Sequence, residues 1–267
     1  MRYIVITGAY GGMGYATATV LSKCGYTVFA LDKKVGEAQR NIIPIETDVT
    51  DSESVKRAFE FVRSQTDEIC AIIHFAGIYR LDSLVEMSEA RFTEIFNVNL
   101  FGAYRINKVF LPMLKQGSRI ILTTSELAPV SPLPFTGIYA ITKSALEKYA
   151  FSLRMELQLL GISVSVIRPG AVGTGLLSVS VQELDKFCES TSVYTYNAER
   201  FRKIVNGVEA KNVPPQKIAN TAVRALAARR PKYVYNVNRN PLLRILNILP
   251  SRWQTAIIGR ILKGKKR

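Results

Sequence analysis

Residues 3–14 read "YIVITGAYGGMG", a run of apolar, β-branched residues that stops at Thr7 and gives way to four glycines in seven positions. The run predicts a buried strand and the segment after it a helix, so the glycines fall in the turn between the two. Gly8 suits the tight turn, Gly12 lets backbone approach a pyrophosphate, and Gly14 permits close helix packing, with Tyr10 and Met13 beside that approach. A helix opening on such a loop points its positive end and its unpaired N–H groups at the anion. Asp32 completes the pattern: it ends the next apolar run, 18 residues beyond Gly14. A carboxylate there accepts hydrogen bonds from an adenosine ribose and repels a 2′-phosphate, which favours NAD over NADP. Lys33 and Lys34 follow it and soften that preference, since either can meet a 2′-phosphate.

The same rhythm continues outward. "IIPIE" (42–46), "CAIIHFA" (70–76), "SRIILTT" (118–124) and "SVSVIRP" (163–169) are short apolar runs, and helical spacing lies between them, as in Ala58, Phe59 and Val62. Near-continuously apolar strands alternating with helices predict an α/β protein, a single-domain doubly wound parallel sheet of the Rossmann type with helices on both faces. "DSES" from Asp51 reads as a helix start. After about residue 175 the strand rhythm fades into a helical region (about 175–210), where such a protein builds its substrate pocket, before a short strand near "KYVYNV". One domain is expected over 1–239, followed by a basic extension over 240–267.

The net charge of +15 is not evenly spread: residues 1–199 carry 19 basic and 20 acidic side chains, residues 200–267 carry 17 and 1. "NPLLRILNILPSRWQTAIIGRILKGKKR" (240–267) predicts two short amphipathic helices split by Pro250, one with Leu242, Leu243, Leu246 and Leu249 on a face, the other with Trp253, Ile257, Ile258, Ile261 and Leu262. Such a tail packs on the catalytic domain or an oligomer partner, or else lies at an anionic membrane interface. It carries no recognised nucleic-acid motif, so nucleic acid is not an expected partner. Cys24, Cys70 and Cys188 form neither a disulfide framework nor a metal-ligand spacing; a reducing, cytoplasmic location and no metal site follow. There is no basic leader with a long apolar run, and no stretch approaches the roughly 18 apolar residues of a membrane span.

"YAITK" (139–143) places a tyrosine four residues before a lysine, a spacing that shares a helix face and by itself means little. Its companions, in chain order, are Asp48-Val49 after the third strand, Ala76-Gly77 after the fourth, Asn99 within "NVNLFG", Ser125 after the fifth, and "PGAVGT" (169–174). Together with the glycine loop these resemble the short-chain dehydrogenase/reductase family from residue 2 to about 235. "SELAPVSPLPFTGIY" is similar to the hydroxysteroid- and retinol-dehydrogenase-like branch.

The chemistry can be stated from the residues. An alcohol gives up hydride to a nicotinamide only as its hydroxyl proton leaves, so an acid/base must sit at that oxygen. Tyrosine, with an ordinary pKa of about 10, is poorly ionised near neutrality. The Lys143 cation one turn away is expected to favour the phenolate, and Ser125 to hold the substrate oxygen. The resemblance implies more: Asn99, Ser125, Tyr139 and Lys143 as the catalytic set, Lys143 also on the nicotinamide ribose, and Asn99 organising a proton-relaying water. It implies cofactor contacts at Asp48, Val49, Ala76, Gly77, Pro169 and Gly170, with Val172 and Thr174 on the nicotinamide amide. It implies a homodimer or homotetramer acting on a lipophilic secondary alcohol, steroid- or retinoid-like, and its ketone or aldehyde.

Two departures stand out. Phe75 replaces the asparagine usual before Ala76-Gly77, and Ser125 lies 14 residues before Tyr139 where 13 is commoner, leaving Glu126 in the other register and Thr124 as a lesser candidate. Phe135, Phe187, Tyr194, Tyr196 and Phe201 are candidates to line the pocket. His74, the only histidine, sits in an apolar strand and reads as core. The rival readings are a non-catalytic dinucleotide-binding sensor or scaffold, and a reductase of small or acyl carbonyl compounds.

Overall fold

The computed structural model describes residues 2–209 and 211–263. In chain order its elements are β1 (Arg2–Thr7), α1 (Gly12–Lys23), β2 (Tyr26–Asp32), β3 (Ile42–Glu46), α2 (Ser52–Gln65), β4 (Ile69–His74), α3 (Glu89–Phe96), α4 (Gly102–Phe110), β5 (Leu114–Thr123), α5 (Gly137–Leu157), β6 (Ser163–Pro169), α6 (Gly175–Ser190), α7 (Thr195–Glu209), α8 (Gln216–Ala227), β7 (Val234–Val237), α9 (Pro241–Ile248) and α10 (Ser251–Lys263). The seven strands form one parallel sheet in the order β3-β2-β1-β4-β5-β6-β7. The doubly wound α/β architecture is as the strand and helix rhythm predicts.

The strands are apolar on both faces because both faces are covered. On one side Val55, Ala58 and Val62 of α2, Ala103, Ile106 and Phe110 of α4, and Leu146 and Ala150 of α5 meet Val5, Phe29, Ile72 and Ile120. On the other, Ala18 and Leu21 of α1 and Ile218, Ala222 and Leu226 of α8 meet Ile4, Ile6, Val28 and Ile73. Each fully buried Val, Leu, Ile or Phe contributes about 1.5–3 kcal/mol by leaving water, and these two cores run the length of the sheet. Truncating one of the largest, Phe110→Ala, would cost about 3–5 kcal/mol.

Local signals set the helix boundaries. Asp51 caps α2 by accepting from Glu53 N–H at 2.9 Å, as "DSES" predicts. Asn240 caps α9 from Leu242 N–H at 2.9 Å, with Pro241 in the first turn. Pro250 does separate two C-terminal helices. One boundary differs from expectation: β5 begins at Leu114, ahead of the apolar run from Ser118, because "LKQG" is mostly exposed and carries no apolar pattern; pairing slips between Ile69 and Ala71 to admit it.

Register positions the site. Thr7 of β1 lies opposite Leu31 of β2 and His74 of β4, so Gly8, Asp32 and Phe75 all emerge at one edge of the sheet. The chain reverses its winding direction between β1 and β4, and an open α/β sheet binds ligands at that switch point.

Candidate active site

Two cavities meet at this edge. One is lined by Gly8, Tyr10, Asp32, Asp48, Val49 and Ala76, and the other, of about 220 Å³, by Met13, Ser125, Tyr139, Lys143, Pro169, Gly170, Val172 and Thr174; Phe75, Gly77 and Ile78 line both. The structure thus brings the residues expected to carry catalysis and cofactor contacts to the cleft except Gly12, Gly14 and Asn99, which shape its walls from behind.

In the first cavity Gly8 turns with φ +64°, and a Cβ there would lie 2.5 Å from Ala76 N; a Cβ on Gly14 would lie 2.0 Å from Gly8 O. Neither position accepts a side chain, so β1, β4 and α1 close up as the glycine spacing predicts. Gly12 approaches Thr174 instead, its Cβ position 2.7 Å from that side chain, so the loop meets the "PGAVGT" segment across the cleft. The α1 N-terminus has Gly11 as its cap, no capping side chain and no acid in its first turn, which leaves its N–H groups for an anion. Asp32 accepts from Tyr10 N–H and Lys33 N–H, both at 2.8 Å, and so ties the loop to the end of β2. Lys33 reaches away to Asp48 at 2.8 Å. Burial works to raise the Asp48 carboxyl, but hydrogen bonds from Lys33 and Thr50 outweigh it and hold it down at about 2. A nicotinamide dinucleotide fits this cradle: an uncapped helix end for its phosphates, Asp32 for a ribose, and an opening toward Tyr139.

In the second cavity Tyr139 and Lys143 sit one turn apart on α5, both buried. The Tyr139 hydroxyl hydrogen-bonds with Ser125, and the Lys143 ammonium donates to Thr123 O at 3.0 Å, 5.7 Å from the Tyr139 ring centre. Burial pushes the Tyr139 phenol up to about 12 against the pull of Ser125, and pushes the Lys143 ammonium down to about 8. The expected phenolate is therefore not the favoured form here. Desolvation opposes both charges.

The three candidates for the serine position separate cleanly. Thr124 turns its hydroxyl to Ile167 O and Glu147, at 3.3 Å each. Glu126 accepts from Asn240 N–H at 2.6 Å, and burial raises its carboxyl while that bond and Arg239 lower it. Only Ser125 meets Tyr139.

Asn99 lies in a π-helical turn, Asn97–Phe101, the kind of irregularity that marks functional positions in helices. Both of its amide hydrogens are used, donating to Ile78 O at 3.0 Å and to Thr142 at 3.1 Å, and its oxygen accepts from Ile78 N–H at 2.8 Å. Through those bonds it braces the segment after β4 against α5. Phe75 donates its backbone N–H to Thr7 O at 2.9 Å, continuing the β1–β4 ladder, and its ring packs partly buried against the core. His74 pairs with Asn107 at 2.9 Å and burial pushes it down to about 4, a neutral core residue as expected.

The aromatic residues depart from their expected role. Phe135 packs tilted against Phe187 and edge-on against Tyr194 and Phe201, at ring-centre distances of 4.5, 5.2 and 5.4 Å, forming a separate small core under α6 and α7. Only Phe201 of the set reaches the cavity, and Tyr196 faces solvent. The cavity wall is aliphatic instead, with Leu127, Leu176, Leu177, Ile204, Val205 and Leu243. Rings prefer ring partners at these geometries, which draws them together and away from the cavity. Tyr79, 4.7 Å from the Tyr139 ring, was not foreseen; its place shortly after Gly77 is the only signal for it. The tail faces are also split: Ile258 and Leu262 join the Phe135 cluster, whereas Trp253 and Ile261 are exposed. Residues 264–267, the end of "KGKKR", lie outside the described residues. Among the described residues Cys24 is exposed and no cluster could hold a metal, and no helix is long and apolar enough to cross a membrane.

The chain is 28% identical over 253 residues to 3-ketodihydrosphingosine reductase of Bacteroides thetaiotaomicron, covering 94% of this chain and 93% of that one. It is 32% identical over 189 residues to estradiol 17-beta-dehydrogenase 2 of Mus musculus, covering 66% of this chain and 49% of that one. In fold it is similar to a short-chain dehydrogenase from Streptomyces avermitilis, with TM-score 0.79, 21% identity, and coverage of 100% and 98%. Residues 2–185 match the family model described as short chain dehydrogenase. The glycine loop and the Ser125, Tyr139 and Lys143 constellation fall inside that matched stretch, and the chain accordingly belongs to the short-chain dehydrogenase family of oxidoreductases acting on CH–OH or carbonyl groups.

Proposed function

We propose that the protein uses NAD(H) to interconvert a lipophilic secondary alcohol and its ketone, with Tyr139 as the acid/base. The observation that carries this reading is the aliphatic cavity ending on Tyr139, Ser125 and Lys143 and sharing a wall with the nucleotide cradle. An apolar pocket with few polar groups at one end selects a long or bulky apolar substrate and orients its one oxygen. Similarity to a ketodihydrosphingosine reductase and to an estradiol dehydrogenase supports a lipid- or steroid-sized molecule.

A nicotinamide held in the cradle supplies or accepts the hydride. The chain's own part is positioning and proton transfer. Ser125 and Tyr139 donate to the carbonyl oxygen, and Tyr139 delivers its proton as the charge on that oxygen develops. A phenol held up near 12 is protonated at neutral pH, the form that carbonyl reduction requires. The Lys143 cation stabilises the same developing charge from one turn away. Asn99 keeps Ile78 and α5 in place, so that the cavity floor does not shift under the reacting atoms.

For the cofactor, Asp32 favours an unphosphorylated ribose, and Lys33, tied to Asp48, is drawn away from a 2′-phosphate. Asp48, Val49, Ala76 and Gly77 would line its adenosine side, and Pro169, Gly170, Val172 and Thr174 its nicotinamide side. Exposed Phe101, Tyr104, Phe151 and Met155 on and beside α4 and α5 support a homo-oligomer, readable by equilibrium sedimentation as two or four chains. A nicotinamide absorbance assay with NADH and NADPH in parallel, against long-chain ketones, keto-steroids and small ketones, tests the whole. Turnover of the apolar ketones with NADH is expected; turnover confined to small or acyl substrates would move the assignment to that class of reductase.

A further inference from the structure

We propose that α9 and α10 form a docking surface for an anionic lipid bilayer, with α9 as the wall shared between the bilayer and the substrate cavity. The two helices each have one face committed inward. On α9, Leu243 lines the cavity, Glu126 accepts from Asn240 N–H at 2.6 Å, and Asn247 accepts from Ser131 N–H at 2.7 Å. On α10, Ile258 and Leu262 pack in the Phe135 cluster, and Arg200 and Asn197 donate to Ile261 O and Leu262 O, at 2.9 Å each. These bonds fix the rotation of both helices, so the opposite faces cannot turn in.

The outward face of α9 is apolar, and that of α10 mixes apolar with basic side chains. Leu242, Ile245 and Ile248, spaced three apart along α9, are 70%, 59% and 82% exposed, and on α10 Trp253 is 61% and Ile261, two turns on, 46% exposed. Arg244, Arg252, Arg260 and Lys263 are interspersed and exposed, and neither helix contains an acid. At 8 and 13 residues the helices are far too short to span a bilayer, and suit lying in its interface. Apolar side chains with a tryptophan, ringed by cations, match the acyl boundary and the anionic headgroups together.

A second copy of the chain is a poorer occupant. A two-fold contact sets a face against itself, and here it would press like charges together with no carboxylate on either helix to meet them. Nucleic acid would satisfy the cations but leave Trp253, Ile245 and Ile248 in water. The proposal deepens the reading of a lipophilic substrate, which dissolved in lipid would reach the cavity along α9; docking itself is measured without substrate.

The test uses the full chain with vesicles of phosphatidylcholine alone or mixed with phosphatidylglycerol. Trp253, the only tryptophan, reports insertion through its emission. Expected are a blue shift and co-sedimentation with the mixed vesicles, both weakened by salt. Partition should fall about fivefold for each charge removed in Arg244→Gln and Arg252→Gln, and about tenfold or more in Ile245→Asp with Ile248→Asp. NADH binding should be unchanged in these variants, which separates failure of docking from failure of the dehydrogenase reading. An unshifted Trp253 and no co-sedimentation of the unmodified chain overturn the proposal. So does an Ile245→Asp, Ile248→Asp variant that still binds vesicles but loses an oligomeric state of the parent.

Discussion

On the cofactor side of the cleft, β1, β2 and β4 end in register and two glycines, at 8 and 14, let the backbone close without room for a methyl group. On the substrate side, α6, α7 and α9 are held in place by carboxylates. Glu183 on α6 takes Arg91 at 2.9 Å and Arg80 at 3.7 Å. Glu86 accepts from Thr191 at 2.7 Å and from the N–H groups of Ser192 and Val193, and Glu126 accepts from Asn240. One side is specified by main-chain geometry that few sequences satisfy. The other is hung from a few side-chain bonds that can be moved or replaced, which suits a pocket that must fit one substrate among many.

The comparison predicts effects of different kinds on the two sides. The largest concerns the group they share: Tyr139→Phe should lower turnover by about 10³-fold, a typical acid/base contribution, with NADH affinity nearly unchanged. Normal turnover in that variant would remove Tyr139 from the chemistry. Next, Gly14→Ala should cost about 1–3 kcal/mol, as an overpacked backbone does, and impair NADH binding with it. Glu183→Ala should also cost about 2 kcal/mol, from two arginines losing a nearly buried partner, but should raise KM and leave the NADH dissociation constant alone. If both variants lose NADH equally, the sides are not independent.

Asp32→Ala should weaken NADH binding about tenfold, and NADPH binding less, since only the unphosphorylated ribose depends on that carboxylate. Equal losses would mean that Asp32 serves the loop alone, through Tyr10 and Lys33. The pH profile sharpens the shared centre. Lys143 is lowered to about 8, so it is charged at neutrality and loses its proton as pH rises through 8, whereas Tyr139 at about 12 keeps its own. Carbonyl reduction should therefore decline above about pH 8; a flat profile to pH 10 would show that the lysine charge is not needed. The smallest effect is expected of Glu126→Ala, which frees the start of α9: KM up about fivefold, kcat unchanged.

What sequence alone determined is the sheet, the glycine turn and the identities at the strand ends. The physical reason is that these are local or strictly periodic: an apolar run between helices becomes a buried strand of a parallel sheet, and Gly8 and Gly14 answer to atoms within the same β-α unit or its neighbour strand. Tyr139 and Lys143 were legible for the same reason, one helical turn apart. Tertiary structure alone decided the rest. Ser125 separates from Thr124 and Glu126 because its hydroxyl meets Tyr139, while the Thr124 hydroxyl turns to Ile167 O and Glu147 and the Glu126 carboxylate takes Asn240 N–H. Burial raises the Tyr139 phenol against the pull of the Ser125 hydrogen bond and so favours its protonated form. The aromatic residues became the core under α6 and α7, and the tail divided into an inward and an outward face, because packing partners distant in sequence choose which side of each helix is buried. No pattern within the helices themselves carries that choice.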